Sequence, residues 1–193
     1  MKKEPQNINQ SEEPLKPSNP IKNSNPMKVS DHISLKEATN SGYATRNGLD
    51  NTPNEQELTN IKLWAEKVFE PLREQVSKER GKDSPIHINS IFRSEEVNKA
   101  IGGSETSQHC AGRKTGLKEA AGDIETNYPD FNNKALFLLI KEKGTFDQLI
   151  WEFGSDTEPA WIHVSYREGA NRKQVLKAYK EDKKTKYSVL TLR

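Results

Sequence analysis

Phe146-Asp147-Gln148-Leu149-Ile150-Trp151-Glu152-Phe153-Gly154-Ser155-Asp156-Thr157-Glu158-Pro159-Ala160-Trp161-Ile162-His163-Val164-Ser165-Tyr166 is the stretch on which the fold turns. Two apolar runs, Phe146 to Phe153 and Ala160 to Tyr166, flank six residues of turn composition, so a loose hairpin of two strands is predicted. Parity then sorts the side chains. In the second strand Ile162, Val164 and Tyr166 share one face and Trp161, His163 and Ser165 the other, so burying the aliphatic pair aims the His163 imidazole out of the sheet. In the first strand Leu149, Trp151 and Phe153 fall on one side and Gln148, Ile150 and Glu152 on the other. With the strands paired around their loop, Glu152 lies near Trp161 and within diagonal reach of His163. A carboxylate and an imidazole therefore converge on one face.

Upstream of the hairpin, Ala135, Leu136, Leu139 and Ile140 recur at helical spacing from Asn132 to Lys143, and Gly144 is placed to stop that helix as a C-terminal glycine does. A longer amphipathic helix is predicted from Glu55 to about Arg80, carrying Leu58, Ile61, Trp64 or Ala65, Val68, Phe69, Leu72 and Val76, with Pro71 expected to bend or break it. Ile86 to Phe92 reads as a short strand with Arg93 at its end, and Ser34, three residues before Glu37, as the cap of a short helical turn. Residues 1–27 hold five of the ten prolines among Asn, Ser, Lys and Glu, so they are predicted to form a disordered tail or linker. Residues 28–170 then form the domain, and 171–193 a basic C-terminal extension with one weak strand, Tyr187 to Leu192.

Composition narrows the classes. With 193 residues and 32% hydrophobic content there is material for one core of ordinary size. The 30 basic and 28 acidic side chains are interspersed and leave a net charge of +2, so no basic field points to a nucleic-acid partner. Cys110 is the single cysteine, which excludes an intramolecular disulfide and a cysteine-rich structural zinc site. No apolar run follows Met1-Lys2-Lys3, so neither a secretory signal nor a membrane span is expected.

Of the four histidines, His109 follows Ser107-Gln108 in a glycine-rich turn region, and His163 sits in the strand described above. The run Glu119-Ala120-Ala121-Gly122-Asp123-Ile124-Glu125 adds an acidic residue among small ones. Two neutral imidazoles and one carboxylate suit a catalytic Zn²⁺ with a fourth position left for water, and a separate carboxylate is then needed as general base. Glu152 is the candidate. A strand histidine is also commonly a hydrogen-bonded structural residue, so the residues alone leave both readings open.

At these positions the chain resembles the zinc D-alanyl-D-alanine carboxypeptidase family, which includes phage L-alanyl-D-glutamate endolysins and VanX- and VanY-like enzymes. The resemblance runs from about residue 28 to 168. It is carried in order by Glu70-Pro71-Leu72-Arg73, Ser90-Ile91-Phe92-Arg93, Val97-Asn98-Lys99-Ala100-Ile101-Gly102-Gly103, Ser107-Gln108-His109, Asp123-Ile124 and Trp161-Ile162-His163-Val164-Ser165. It implies an α+β fold, with an antiparallel sheet bearing a zinc site on one face and helices packed on the other. It also implies that His109, Asp123 and His163 hold one Zn²⁺ per chain, that a glutamate near the third ligand is the base, and that Arg93 and Ser107 contact substrate. The substrate implied is a peptidoglycan stem peptide, cut at a terminal D-Ala–D-Ala or an internal L-Ala–D-Glu bond. A monomer acting at the cell wall or periplasm, after phage-type release, is the expected context. The related hedgehog domain, which keeps a similar site while binding proteins, is the non-catalytic alternative.

Two departures from the family pattern bear on the site. Asp123 follows His109 by fourteen positions, twice the usual spacing, so Cys110 to Lys118 is predicted to be an inserted surface loop, with Cys110 an ordinary thiol. Many relatives place the catalytic glutamate three residues before the last histidine, where this chain has Ala160. That leaves Glu152, favoured by parity, with Glu158 in the loop as the alternative. Asp147 and Glu125 are candidate hydrogen-bond partners behind a histidine ligand.

Overall fold

The computed structural model describes residues 27–191. Its helices are α1 (Leu35–Ala38), α2 (Gly42–Asn47), α3 (Glu55–Trp64), α4 (Glu70–Arg80), α5 (Glu95–Ala100) and α6 (Asn133–Lys143). Its strands are β1 (His87–Ser90), β2 (Glu119–Glu125), β3 (Gln148–Glu152), β4 (Trp161–Arg167), β5 (Gln174–Glu181) and β6 (Lys184–Val189). The proline-rich stretch read as a tail lies, apart from Met27, outside the described residues. The strands form one sheet in the order β1-β2-β4-β3-β5-β6, antiparallel throughout except for the parallel β3–β5 pair.

The sheet buries one face under helices because its side chains alternate. Ile124, Leu149, Trp151, Ile162 and Val164 enter a core with Ile61, Trp64, Leu136, Phe137 and Ile140, all nearly inaccessible. The hairpin forms with the register its parity predicted: Glu152 opposes Trp161 and Ile150 opposes His163. The Ser34 hydroxyl accepts from Glu37 N at 3.1 Å, as expected of a cap. Asn54 and Glu57 close a reciprocal capping box at the start of α3.

Pro71 does not break the long helix. Helical conformation continues from Glu55 to Arg80, but Ala65–Phe69 widen into a π turn just before the proline. A proline has no N–H to offer the carbonyl four residues back and its ring crowds that oxygen, and a π turn accommodates both. Gly144 ends α6 by a different route from the one expected. Its φ is −79°, so no left-handed cap forms; a Cβ there would stand 2.6 Å from the Ile140 carbonyl oxygen, which leaves room for glycine only.

β2 was not legible as a strand, since Glu-Ala-Ala-Gly-Asp-Ile-Glu lacks the β-branched and aromatic residues that mark one. It lies between β1 and β4 because Gly122 admits the Trp64 ring: a Cβ at 122 would lie 2.4 Å from Trp64 Cη2. The Trp64 indole N–H donates to the Val164 carbonyl at 3.0 Å, which locks α3 onto the sheet. Gly122→Ala is expected to lower unfolding stability by about 1–3 kcal/mol through overpacking, read as a lower midpoint in urea. An unshifted midpoint would mean that Trp64 can withdraw.

After Asn171 the chain continues the sheet where a lysine-rich extension with a single weak strand at its end was expected. β5 joins β3 and β6 pairs with β5. The missed signal is the two-residue turn Asp182-Lys183, both residues at positive φ (48° and 62°). Such a turn normally advertises itself with Asn-Gly or Asp-Gly.

Candidate metal centre

β2 and β4 are neighbours in a register that sets Asp123 directly opposite His163. A short 3₁₀ turn, Gln108–Cys110, brings His109 over them. His109 Nε2 lies 3.1 Å from Asp123 Oδ1 and 3.1 Å from His163 Nδ1, and the last two atoms are 3.0 Å apart. Donors in a tetrahedral zinc shell at about 2.0–2.1 Å from the ion lie about 3.3 Å from one another, so this triangle has nearly the size such a cation requires.

The protonation states suit a cation too. His109 Nδ1 donates to the Ile91 carbonyl at 2.7 Å, which fixes the tautomer and leaves the Nε2 lone pair facing the other two residues. Burial, then the Arg93 guanidinium, push His109 down to about 4, so the ring is neutral at ordinary pH. Burial alone would raise Asp123, but His109 and His163 outweigh it and hold the carboxyl well below the usual carboxylate range. Its other oxygen, Oδ2, accepts from Arg93 Nη2 at 3.2 Å. Arg93 also donates its backbone N–H to the His109 carbonyl at 3.1 Å, so residues 91–93 grip the histidine from two sides.

Glu152 stands one strand further on, on the same face of the sheet as His163. It is 8% exposed and makes no side-chain hydrogen bond among the described residues. Burial is the main reason its carboxyl is pushed up to about 7; Asp123 adds to this, while His163, Arg93 and Lys180 oppose it. Glu158, the alternative, is engaged elsewhere: it accepts from Asn132 Nδ2 at 2.8 Å and from Asn133 N at 3.2 Å, at the start of α6. Ser107 immediately precedes the turn that carries His109, with its hydroxyl free of hydrogen bonds among the described residues.

A buried neutral carboxyl has a consequence for the metal-free protein. Below the unfolded pKa of a glutamate, about 4.3, Glu152 is protonated in both states. Between there and about 7 the unfolded chain ionises while the folded one keeps its proton, so the stability carried by the neutral form is lost as pH rises through that window. Metal-free Glu152→Gln should therefore gain on the wild type between pH 5 and pH 8, by on the order of 1–3 kcal/mol. Paired thermal melts at the two pH values check it; a constant difference would mean that Glu152 is not buried uncharged.

The residues expected behind the histidines are placed differently. Asp147 is fully buried but accepts from Gln108 Nε2 at 2.9 Å and from Arg172. Glu125 lies 4.0 Å from His87. Neither touches His109 or His163; the Ile91 carbonyl accepts from His109, and a backbone oxygen leaves no trace in a sequence. Gln108 was missed as well. Its amide donates to both Glu119, at 3.1 Å, and Asp147, and these carboxylates are paired with Arg167 and Arg172, so a buried polar network anchors the turn bearing His109.

The long spacing between His109 and Asp123 is taken up by a tight excursion rather than one wholly on the surface. Ala111 and Gly112 both have positive φ and reverse the chain, and Asn60 Nδ2 holds the Ala111 and Leu117 carbonyls at 2.8 and 3.1 Å. Cys110 is buried and its thiol is pushed up to about 11 by that burial, so it stays protonated and unreactive. Arg113 and Lys114 form the exposed tip.

No curated protein matches the chain. A family model described as Peptidase M15 matches residues 31–165. That span runs from the approach to α1 to within β4, and His109, Asp123, Glu152 and His163 all fall inside it. The chain belongs to the peptidase M15 family.

Proposed function

We propose that this peptidase is zinc-dependent and hydrolyses peptide bonds beside D-amino acids in peptidoglycan stem peptides. The observation that supports this most directly is the 3.0–3.1 Å triangle of His109 Nε2, Asp123 Oδ1 and His163 Nδ1, with an unligated, protonatable Glu152 on the same face. Those three residues would hold the ion. A zinc ion bound there supplies a Lewis acid for the scissile carbonyl and makes water a usable nucleophile near neutral pH.

The remaining work falls to the protein. The Glu152 carboxylate accepts a proton from the attacking water and returns it to the amine as the C–N bond breaks, a pair of tasks that favours a pKa near the working pH. Arg93, already oriented by Asp123, presents its remaining N–H groups to a carbonyl or carboxylate oxygen of the peptide. Ser107 contacts substrate from the rim. The Glu152 carboxylate and its position relative to His163 favour hydrolysis over a binding-only role.

Purified peptidoglycan incubated with the protein should release product that a chelator suppresses and added Zn²⁺ restores. Free D-alanine would identify the terminal D-Ala–D-Ala bond, and new amino termini on D-glutamate the internal L-Ala–D-Glu bond. No product from protein shown to contain zinc would refute the proposal.

A further inference from the structure

Strands β5 and β6 lie beyond the span matched by the family and widen the face that carries the metal residues. Register sets Trp161, Glu152, Ala178 and Tyr187 in one row across β4, β3, β5 and β6. Ala178 is fully buried although it sits one strand from the edge, whereas Tyr187 keeps 54% of its surface open. Because Glu152 opposes Ala178 and Ala178 opposes Tyr187, the phenol stands on the face that carries Glu152, and its hydroxyl is pushed up first by burial and then by the negative charges of Glu152 and Asp123.

Phe153 joins the same surface against its strand parity, which predicts the core side with Trp151. Its φ is +51°, a costly conformation for a bulky residue, and its ring packs on Trp161 at 5.3 Å, with Lys180 Nζ 5.2 Å from its centre. Among the described residues Lys180 makes no ion pair, only a hydrogen bond to the Thr185 hydroxyl at 2.7 Å. The result is a shelf of aromatic rings and one unpaired cation that begins at Glu152 and runs outward.

Neighbouring strands are about 4.8 Å apart, so three spacings carry the shelf about 14 Å from the His163 strand to the Tyr187 strand, roughly the reach of four residues of extended peptide at about 3.3 Å each. We propose that β5 and β6 form a remote subsite for a peptide substrate, in which Tyr187 packs on the chain three or four residues from the scissile bond and Lys180 pairs with one of its carboxylates. This rests on the peptide-hydrolysis reading above. It makes the chain a long-peptide enzyme, with binding energy drawn from parts of the substrate remote from the reacting bond.

The test compares two soluble, sugar-free peptides on the zinc-loaded full chain: a pentapeptide stem peptide and a dipeptide spanning only the bond that is cut. Tyr187→Ala should raise KM for the pentapeptide about tenfold with kcat within about twofold, and Tyr187→Phe should restore most of the loss, as expected of a ring contact. The preference for the longer peptide should fall about tenfold in Tyr187→Ala and about threefold in Lys180→Gln, the latter more at low salt. Parameters for the two peptides that move together, or a preference that survives both substitutions, would overturn the subsite. So would a change confined to sugar-bearing muropeptides, which would assign the shelf to glycan.

Calorimetric binding of the pentapeptide to zinc-loaded Glu152→Gln, with and without Tyr187→Ala, separates the two readings. Tyr187-dependent binding without turnover by the wild type would uphold the subsite and refute hydrolysis. Turnover with Tyr187-independent binding would do the reverse, and neither binding nor turnover would refute both.

Discussion

Glu152→Gln is expected to reduce turnover of peptidoglycan peptides by about 10²–10⁴-fold, the usual contribution of a positioned general base, while one zinc per chain still binds. The side chain is no part of the His109, Asp123 and His163 triangle, so its amide should leave the metal residues in place. What it loses is the capacity to take and return a proton. The carboxyl is buried, lacks a hydrogen-bond partner among the described residues and is raised to about 7, so it is able to exist in both forms near neutrality. Glu158→Gln is the matched comparison. An amide oxygen can still accept from Asn132 and Asn133, so turnover within about twofold of the wild type is expected. Zinc content by elemental analysis and product release by chromatography read both variants. Silencing by Glu158→Gln with Glu152→Gln active would reverse the assignment.

His163→Ala is expected to weaken zinc binding by roughly 10³-fold, beyond the 10–100-fold typical of residues that only support a ligand, and to abolish hydrolysis with it. Only His109 and Asp123 would remain of the triangle, and two protein donors hold zinc poorly against water. His163 lies on the sheet face away from the helices, so the aliphatic core under Ile162 and Val164 should survive the substitution. Competition with a chromophoric chelator gives the affinity. The rise in melting temperature that ligand binding confers on a folded state should appear in the wild type on adding zinc and vanish in the variant. Near-normal affinity in His163→Ala would mean that the metal is held elsewhere.

Much of this site was readable because strands sort side chains locally. Ile162 and Val164 must be buried, so His163 must point the other way, and the same parity across a short loop brings Glu152 to its side. Phe153 shows where the rule stops: its positive φ carries the ring across to Trp161, and nothing in the order of residues announces that. Asp123 could be named from motif resemblance, but its strand could not. β2 exists because Trp64, far away in the chain, fits over Gly122, which is a fact about packing and not about strand propensity.

The sequence by itself determined which atoms could bind a cation and which glutamates could serve as base, since donor chemistry belongs to the residue and alternation belongs to the strand. Only the tertiary structure decided the rest. It turned the Ile91 carbonyl toward His109, hydrogen-bonded Glu158 to the start of α6 and left Glu152 buried on the face of His163, and it added β5 and β6 to that sheet. The reason is physical: a 3 Å meeting of His109 and His163, 54 residues apart, is set by sheet register and helix packing, and their energies are sums over distant contacts that no local pattern encodes.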